Sequence, residues 1–120
     1  MPIHGSGLQT RDLTYVDDAV EATLLGAVTP RADGEVFNIG SGWEISVRDL
    51  ARAVADAVGV PCRTEFVDRR DIDNVQRRVL NIEKARRVLR WIPKLDLQRG
   101  LKLTYEWLLQ SSTRPVSISA

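Results

Sequence analysis

Apolar residues recur at three- and four-residue steps in several stretches, and each such stretch predicts a helix. The clearest is Val47, Leu50, Ala51, Val54, Ala55 and Val58. Ser46 stands at its N-cap position, Asp49 three residues on completes a weaker capping box, and Gly59 with Pro61 stops it. Over 17–28 a second helix is predicted on Val16, Ala19, Val20, Thr23, Leu24 and Ala27. Asp17 and Asp18 lie in its first turn, where negative charge meets the positive helix end. Pro30 and Asp33-Gly34 end it. A short helix over 82–89 follows an Asn81 cap, with Ile82, Ala85, Val88 and Leu89 on one side. A last helix runs from an Asp96 cap to about position 109 on Leu97, Leu101, Thr104, Tyr105 and Leu108. Gly100 weakens its first turn by up to about 1 kcal/mol relative to alanine.

Between the helices the apolar runs are short. Ile3 ends one strand, and positions 13–16 are β-prone through Thr14, Tyr15 and Val16. Further strands are predicted over 35–39 and 63–67, with a brief extended piece over 78–80. Gly5, Ser6 and Gly7 mark a tight turn. The pattern is α/β in class, an α+β-like fragment of four helices with short strands that need neighbours to complete a sheet. Residues 1–110 form the expected folded domain, and 111–120, without a period, a flexible tail.

Composition narrows the function. A chain of 120 residues suits one domain with a modest core. A hydrophobic share of 43 % with 28 % charged residues argues against disorder. Seventeen Lys+Arg against sixteen Asp+Glu give a net charge of +1, no reason to expect nucleic acid or an anionic membrane as partner. The charge is uneven, however. Residues 1–60 hold four Arg and nine Asp+Glu, whereas 63–90 hold nine Lys+Arg and five Asp+Glu. The second region is either a solvated face or a phosphate-facing edge. Cys62 is the only cysteine, which rules out an intrachain disulfide, and it is expected as a small buried hydrophobe in a strand. One cysteine and one histidine, His4, do not make a zinc cluster. No apolar run reaches the roughly 18 residues of a membrane span, and no signal peptide is visible, so the cytoplasm is the expected location.

Several segments carry a resemblance. Residues 5–22, GSGLQTRDLTYVDDAVEA, are similar to the G-D-G-x-Q-x-R-D-F-x-Y-V-x-D segment of NAD-dependent nucleotide-sugar epimerases and dehydratases, members of the extended short-chain dehydrogenase/reductase family. Phe37-Asn38-Ile39-Gly40-Ser41-Gly42 resembles that family's Y-N-I-G-S-G, and Ser46-Val47-Arg48-Asp49-Leu50 its following helix start. Asn81 to Arg86 and Leu89 to Pro93 resemble its D-x-x-K-A-x-x-x-L-G-W-x-P segment. In order and at these spacings they cover the chain to about position 109. The resemblance implies the C-terminal, substrate-binding portion of such an enzyme without its Rossmann half. Where the family has L-G-W this chain has Leu89-Arg90-Trp91, so a left-handed backbone there would strain Arg90 by roughly 1 kcal/mol. Trp91 is expected as a core anchor.

Arg11 is the first candidate for substrate binding. A guanidinium matches phosphate oxygens with a planar fork, and the resemblance places the motif's arginine at the nucleotide-sugar site. The alternative is a surface pair of Arg11 with Asp12 or Asp17. Gln9 is a second candidate, for the nucleotide part, or else an ordinary polar loop residue. A further arginine belongs in the family's R-x-G-D loop. Arg70 is the best match and Arg77 the alternative, although this segment lacks the glycine and its arginines would equally keep a loop soluble. In the family, catalysis also needs a Gly-rich cofactor turn, a Ser/Thr and a Y-x-x-x-K pair. Here Ala19 stands four residues after Tyr15 and Leu109 four after Tyr105. No cofactor is therefore expected on this chain alone, NAD being implied for the intact family enzyme, and the chain alone is expected to be inactive. Its expected partners are a nucleotide-diphosphate sugar and either an N-terminal Rossmann domain or a second copy. A non-enzymatic interaction domain is the competing reading.

Overall fold

A computed structural model describes residues 1–68 and 75–112. The Arg70 assignment and the tail beyond 112 lie outside these described residues. Among the described residues, four α-helices and four three-residue strands follow one another in the order β1 (Pro2–His4), β2 (Thr10–Asp12), α1 (Val16–Val28), β3 (Glu44–Ser46), α2 (Val47–Val58), β4 (Glu65–Val67), α3 (Glu83–Leu89) and α4 (Leu97–Ser112). A 3-10 turn at Pro30–Ala32 follows α1.

The strands form two separate two-stranded sheets. β1 and β4 are parallel, with Ile3 opposite Phe66. β2 and β3 are antiparallel, pairing Thr10 with Ser46, Arg11 with Ile45 and Asp12 with Glu44. The strand expected over 13–16 therefore lies earlier, at the polar triplet Thr10-Arg11-Asp12. Residues 35–39 form no strand: Phe37 and Ile39 pack partly buried against the core, while Val36 is exposed. Strand propensity needs a neighbouring backbone to hydrogen-bond, and here side-chain burial is met without one.

Local chemistry explains α2. The Ser46 hydroxyl accepts from the Asp49 N–H at 3.0 Å, and Gly59 ends the helix at φ 77°. The N–H groups of Val47 and Arg48 are taken by the carbonyls of Gln9 and Gly7, each at 3.0 Å. These would otherwise be orphan donors of the first turn. Gly7 sits at φ 70°, and a Cβ there would lie 2.9 Å from Ile3 Cγ2 and 3.2 Å from Arg48 Cβ. Only glycine allows that approach. α4 packs against α2 and starts at an Asp96 cap, whose Oδ1 accepts from the Arg99 N–H at 2.8 Å. Gly100 has a further use: it is buried, and a Cβ there would lie 3.4 Å from the Tyr15 ring.

The core gathers Ala22, Ala32, Ala85, Leu89 and Trp91 between α1, the 3-10 turn and α3. The buried side of α1 departs from expectation. Asp18 and Ala22 are buried, while Val16, Val20 and Leu24 stand 50–62 % exposed. Apolar residues occupy more than one face of this helix, so periodicity alone does not select the inward one. Asp18 is held because its carboxylate accepts from the Lys94 and Leu95 N–H groups at 3.0 and 3.1 Å. Cys62 is also a correction: it is exposed and precedes β4 rather than lying in a strand.

Arg90 ends α3 at φ 57° and ψ 27°, the left-handed conformation that the family pattern fills with glycine. A Cβ is unfavourable there by roughly 1–2 kcal/mol. Arg90→Gly is expected to raise stability by about 1 kcal/mol once the greater freedom of unfolded glycine is subtracted. An unchanged or lowered urea midpoint would contradict it.

Candidate nucleotide-sugar site

β2 places Gln9, Arg11 and Asp12 beside two loops. Asp12 has no contact with Arg11 in the role of ion-pair partner. Its carboxylate instead accepts from four donors: the Ser41 N–H at 2.8 Å, the Ser41 hydroxyl at 2.5 Å, the Gly42 N–H at 3.0 Å and the Leu80 N–H at 3.1 Å. It ties loop 41–42 and residue 80 to β2. Gly40 permits this closeness, because a Cβ there would lie 2.7 Å from Leu80 Cδ1 and 2.9 Å from Asp12 Oδ2.

Arg11 donates through Nη1 to the Thr10 carbonyl at 2.7 Å and to the Val75 carbonyl at 3.1 Å. Among the described residues it has no carboxylate partner, so neither Asp12 nor Asp17 pairs with it. The two neutral carbonyls do not themselves compensate its positive charge. The Thr10 N–H donates to the Gln76 carbonyl at 2.8 Å, so residues 75–77 run along the β2 edge opposite β3. Gln9 donates from Nε2 to the His4 carbonyl at 3.1 Å and is part-buried, bracing the turn after β1.

Arg77 is brought to this region but is already engaged. Its Nε meets Glu44 Oε1 and Oε2 at 2.7 and 2.9 Å, and its Nη2 meets Oε1 at 2.7 Å. Glu44 also accepts from the Thr10 hydroxyl at 2.6 Å. The Arg77 guanidinium, followed by the Thr10 hydroxyl, holds the Glu44 carboxyl below its ordinary pKa, and Glu44 in turn raises that of Arg77. Side chains alternate along a strand, so Thr10, Asp12 and the cross-strand Glu44 share one face of the β2–β3 sheet; Arg11 starts from the other, and its guanidinium turns along the β2 edge to the Val75 carbonyl, two residues before Arg77. Glu44 and Thr10 were missed by sequence reasoning. β3 is only three residues long and reads as loop plus helix cap, so nothing local announces its register with β2.

A groove of about 530 Å³ lies next to the same sheet, lined by Leu13, Trp43, Glu44, Ile45, Leu95 and Leu97 among others. Gln9, Arg11 and Arg77 do not line it. Glu44 joins the groove to the arginine.

The residues described do not fit a dinucleotide seat. The glycine turn after β1 leads to β2, not to a helix whose N-terminus would meet a pyrophosphate. The space at Gly7 is taken by Ile3 and Arg48. Tyr15 packs on Gly100, and neither tyrosine has a lysine four residues on.

Residues 1–40 match the model of the NAD dependent epimerase/dehydratase family. The UDP-glucose 4-epimerase of Mycolicibacterium smegmatis is 40 % identical over 110 residues, which cover 92 % of this chain and 34 % of that protein. The crystal structure of the Thermotoga maritima UDP-glucose 4-epimerase with UDP-glucose superposes with a TM-score of 0.86 at 37 % identity, over 93 % of this chain and 35 % of that one. The Bacillus cereus UDP-glucuronic acid 4-epimerase, solved with UDP-glucuronic acid and NAD, gives 0.81 at 30 % identity, over 92 % and 35 %. The chain thus spans about a third of the length of the relatives it matches. Among the described residues no helix is long and apolar enough to cross a membrane.

Proposed function

Since the chain belongs to the NAD-dependent epimerase/dehydratase family, we propose that it is the substrate-binding portion of a nucleotide-sugar epimerase or dehydratase, inactive alone. It grips the diphosphate of a nucleotide sugar through Arg11, with Gln9 near the nucleotide and Arg70 or Arg77 as the second cation. Two phosphates call for more than one positive group, and guanidinium forks suit them. The supporting observation is the state of Arg11: its partners among the described residues are two backbone carbonyls, which leave a charge free to meet an anion. NAD and the reacting hydroxyl chemistry belong to the rest of such an enzyme, supplied by an N-terminal Rossmann domain.

Calorimetric titration with UDP-glucose tests the site. Arg11→Ala is expected to weaken binding about tenfold or more, since a hydrogen bond to a charged group contributes roughly 1.5–3 kcal/mol. Equal affinity of the two proteins would refute the assignment. Sugar turnover by the chain alone would refute its inactivity.

A second reading, a non-enzymatic interaction domain, is favoured by one observation. Val16, Val20, Leu24 and Val28 form an exposed apolar ridge along α1, the kind of surface that associates. Sedimentation of the same protein as a strict monomer would count against self-association.

A further inference from the structure

We propose that Glu44 is a positioning residue: it holds Arg77 by one edge of the guanidinium so that the opposite edge stays open to a phosphate oxygen. This rests on the nucleotide-sugar reading above and adds a residue to that site.

A guanidinium carries five N–H groups in a fixed plane. Glu44 takes the Nε–H with both oxygens and lies 2.7 Å from Nη2, so it sits on the side-on edge. The fork between Nη1 and the outward N–H of Nη2 is left over. Among the described residues nothing but Glu44 partners this head group, and the Arg77 side chain is 72 % exposed.

Glu44 is suited to act as the fixed member. Its own side chain is 27 % exposed, it stands on β3, and the Thr10 hydroxyl holds its second oxygen. The base of Arg77 is fixed too, because β2 takes the Gln76 carbonyl through the Thr10 N–H and the Val75 carbonyl through Arg11. Thr10 therefore reaches both ends of Arg77, and its chain neighbour is Arg11. A long side chain on a segment without regular structure would otherwise lose rotamer freedom on meeting a ligand. Holding it beforehand lowers that cost and raises affinity. The opposite effect competes: a carboxylate near an anion repels it. The two possibilities predict opposite signs, which makes the inference easy to test.

UDP-glucose is titrated into the wild type, Glu44→Gln, Glu44→Asp, Arg77→Ala, and Glu44→Gln combined with Arg77→Ala, with each variant's melting checked by circular dichroism. Glu44→Gln is expected to bind about three- to tenfold more weakly, in the range of coupled neighbouring side chains. Glu44→Asp, which keeps the charge, is expected to recover part of the loss. In the Arg77→Ala background Glu44→Gln is expected to change nothing further. Unchanged or tighter binding by Glu44→Gln overturns the proposal. So does unchanged binding by Arg77→Ala, or an equal loss in both backgrounds, which would mark a structural role. Absence of UDP-glucose binding by the wild type, in contrast, refutes the nucleotide-sugar reading itself, whereas failure of Arg11→Ala to weaken binding refutes only the Arg11 assignment.

Discussion

Replacing Asp12 with alanine is expected to cost about 3–6 kcal/mol, most of the stability of a domain this size. The reason is the asymmetry between making and orphaning hydrogen bonds. The Asp12 carboxylate takes three backbone N–H groups and a hydroxyl, all part-buried. Alanine leaves those donors without their acceptor, at roughly 1–3 kcal/mol each where water does not reach them. The loss would also travel along the chain. Loop 41–42 leads directly into β3, and β3 carries Glu44, so releasing the loop loosens the anchor of Arg77. Asp12→Asn keeps one acceptor oxygen but turns an amide N–H₂ towards N–H donors, and is expected to cost about half as much. Urea denaturation followed by far-UV circular dichroism measures both. A midpoint for Asp12→Ala within about 0.3 M of the wild type, given slopes of roughly 1–3 kcal/mol/M, would show that the four contacts contribute little.

What could be read in the sequence follows from what is local. α2 was legible because its cap, its stripe and its stop all lie within fifteen or so residues of one another, on a helix of typical length. Asn81 was legible in part for the same reason: its side chain accepts from the Glu83 N–H at 3.0 Å, but α3 begins one residue later than expected, with Ile82 at the cap position. Arg90 was legible through the resemblance, which marked a glycine position where the structure has φ 57°. β1 and β4 fall within stretches that read as strands, at Ile3 and over 63–67; β2 and β3 were not legible, because three-residue strands are specified by partners distant in sequence. Thr10-Arg11-Asp12 has no strand-like composition and pairs only because residues 44–46 are brought to it. The inward face of α1 was not legible either, since Asp18 is buried for the sake of two backbone N–H groups at residues 94 and 95. The candidate site divides in the same way. Arg11, Gln9 and Arg77 stand out by residue type and motif. Their partners, the Val75 carbonyl, the His4 carbonyl and Glu44, depend on tertiary register.

Trp91→Ala is expected to lower stability by about 3–5 kcal/mol, the range for removing a large buried aromatic side chain. Trp91 is 2 % exposed, and three of the four buried residues clustered with it are alanines. Ala22 comes from α1, Ala32 from the 3-10 turn and Ala85 from α3, with Leu89 beside them. The three alanines have no long side chains with which to close the space an indole leaves, and Leu25, Phe37, Ile39, Ile82 and Val88, which pack against the cluster, can fill only part of it, so a cavity term remains. The indole also carries a penalty of its own: among the described residues its buried Nε1 has no hydrogen-bond partner. Trp91→Phe keeps an aromatic ring and removes that donor. The relief, roughly 1–3 kcal/mol for a buried unsatisfied group, offsets much of the lost volume. Phenylalanine is therefore expected to fall within about 1–1.5 kcal/mol of the wild type, as volume-conserving core exchanges do. The measurement is again the urea midpoint for both variants. A Phe variant as unstable as the Ala variant would mean that the indole nitrogen has a partner in solution, and that the alanine pocket is shaped around a bond rather than around a volume.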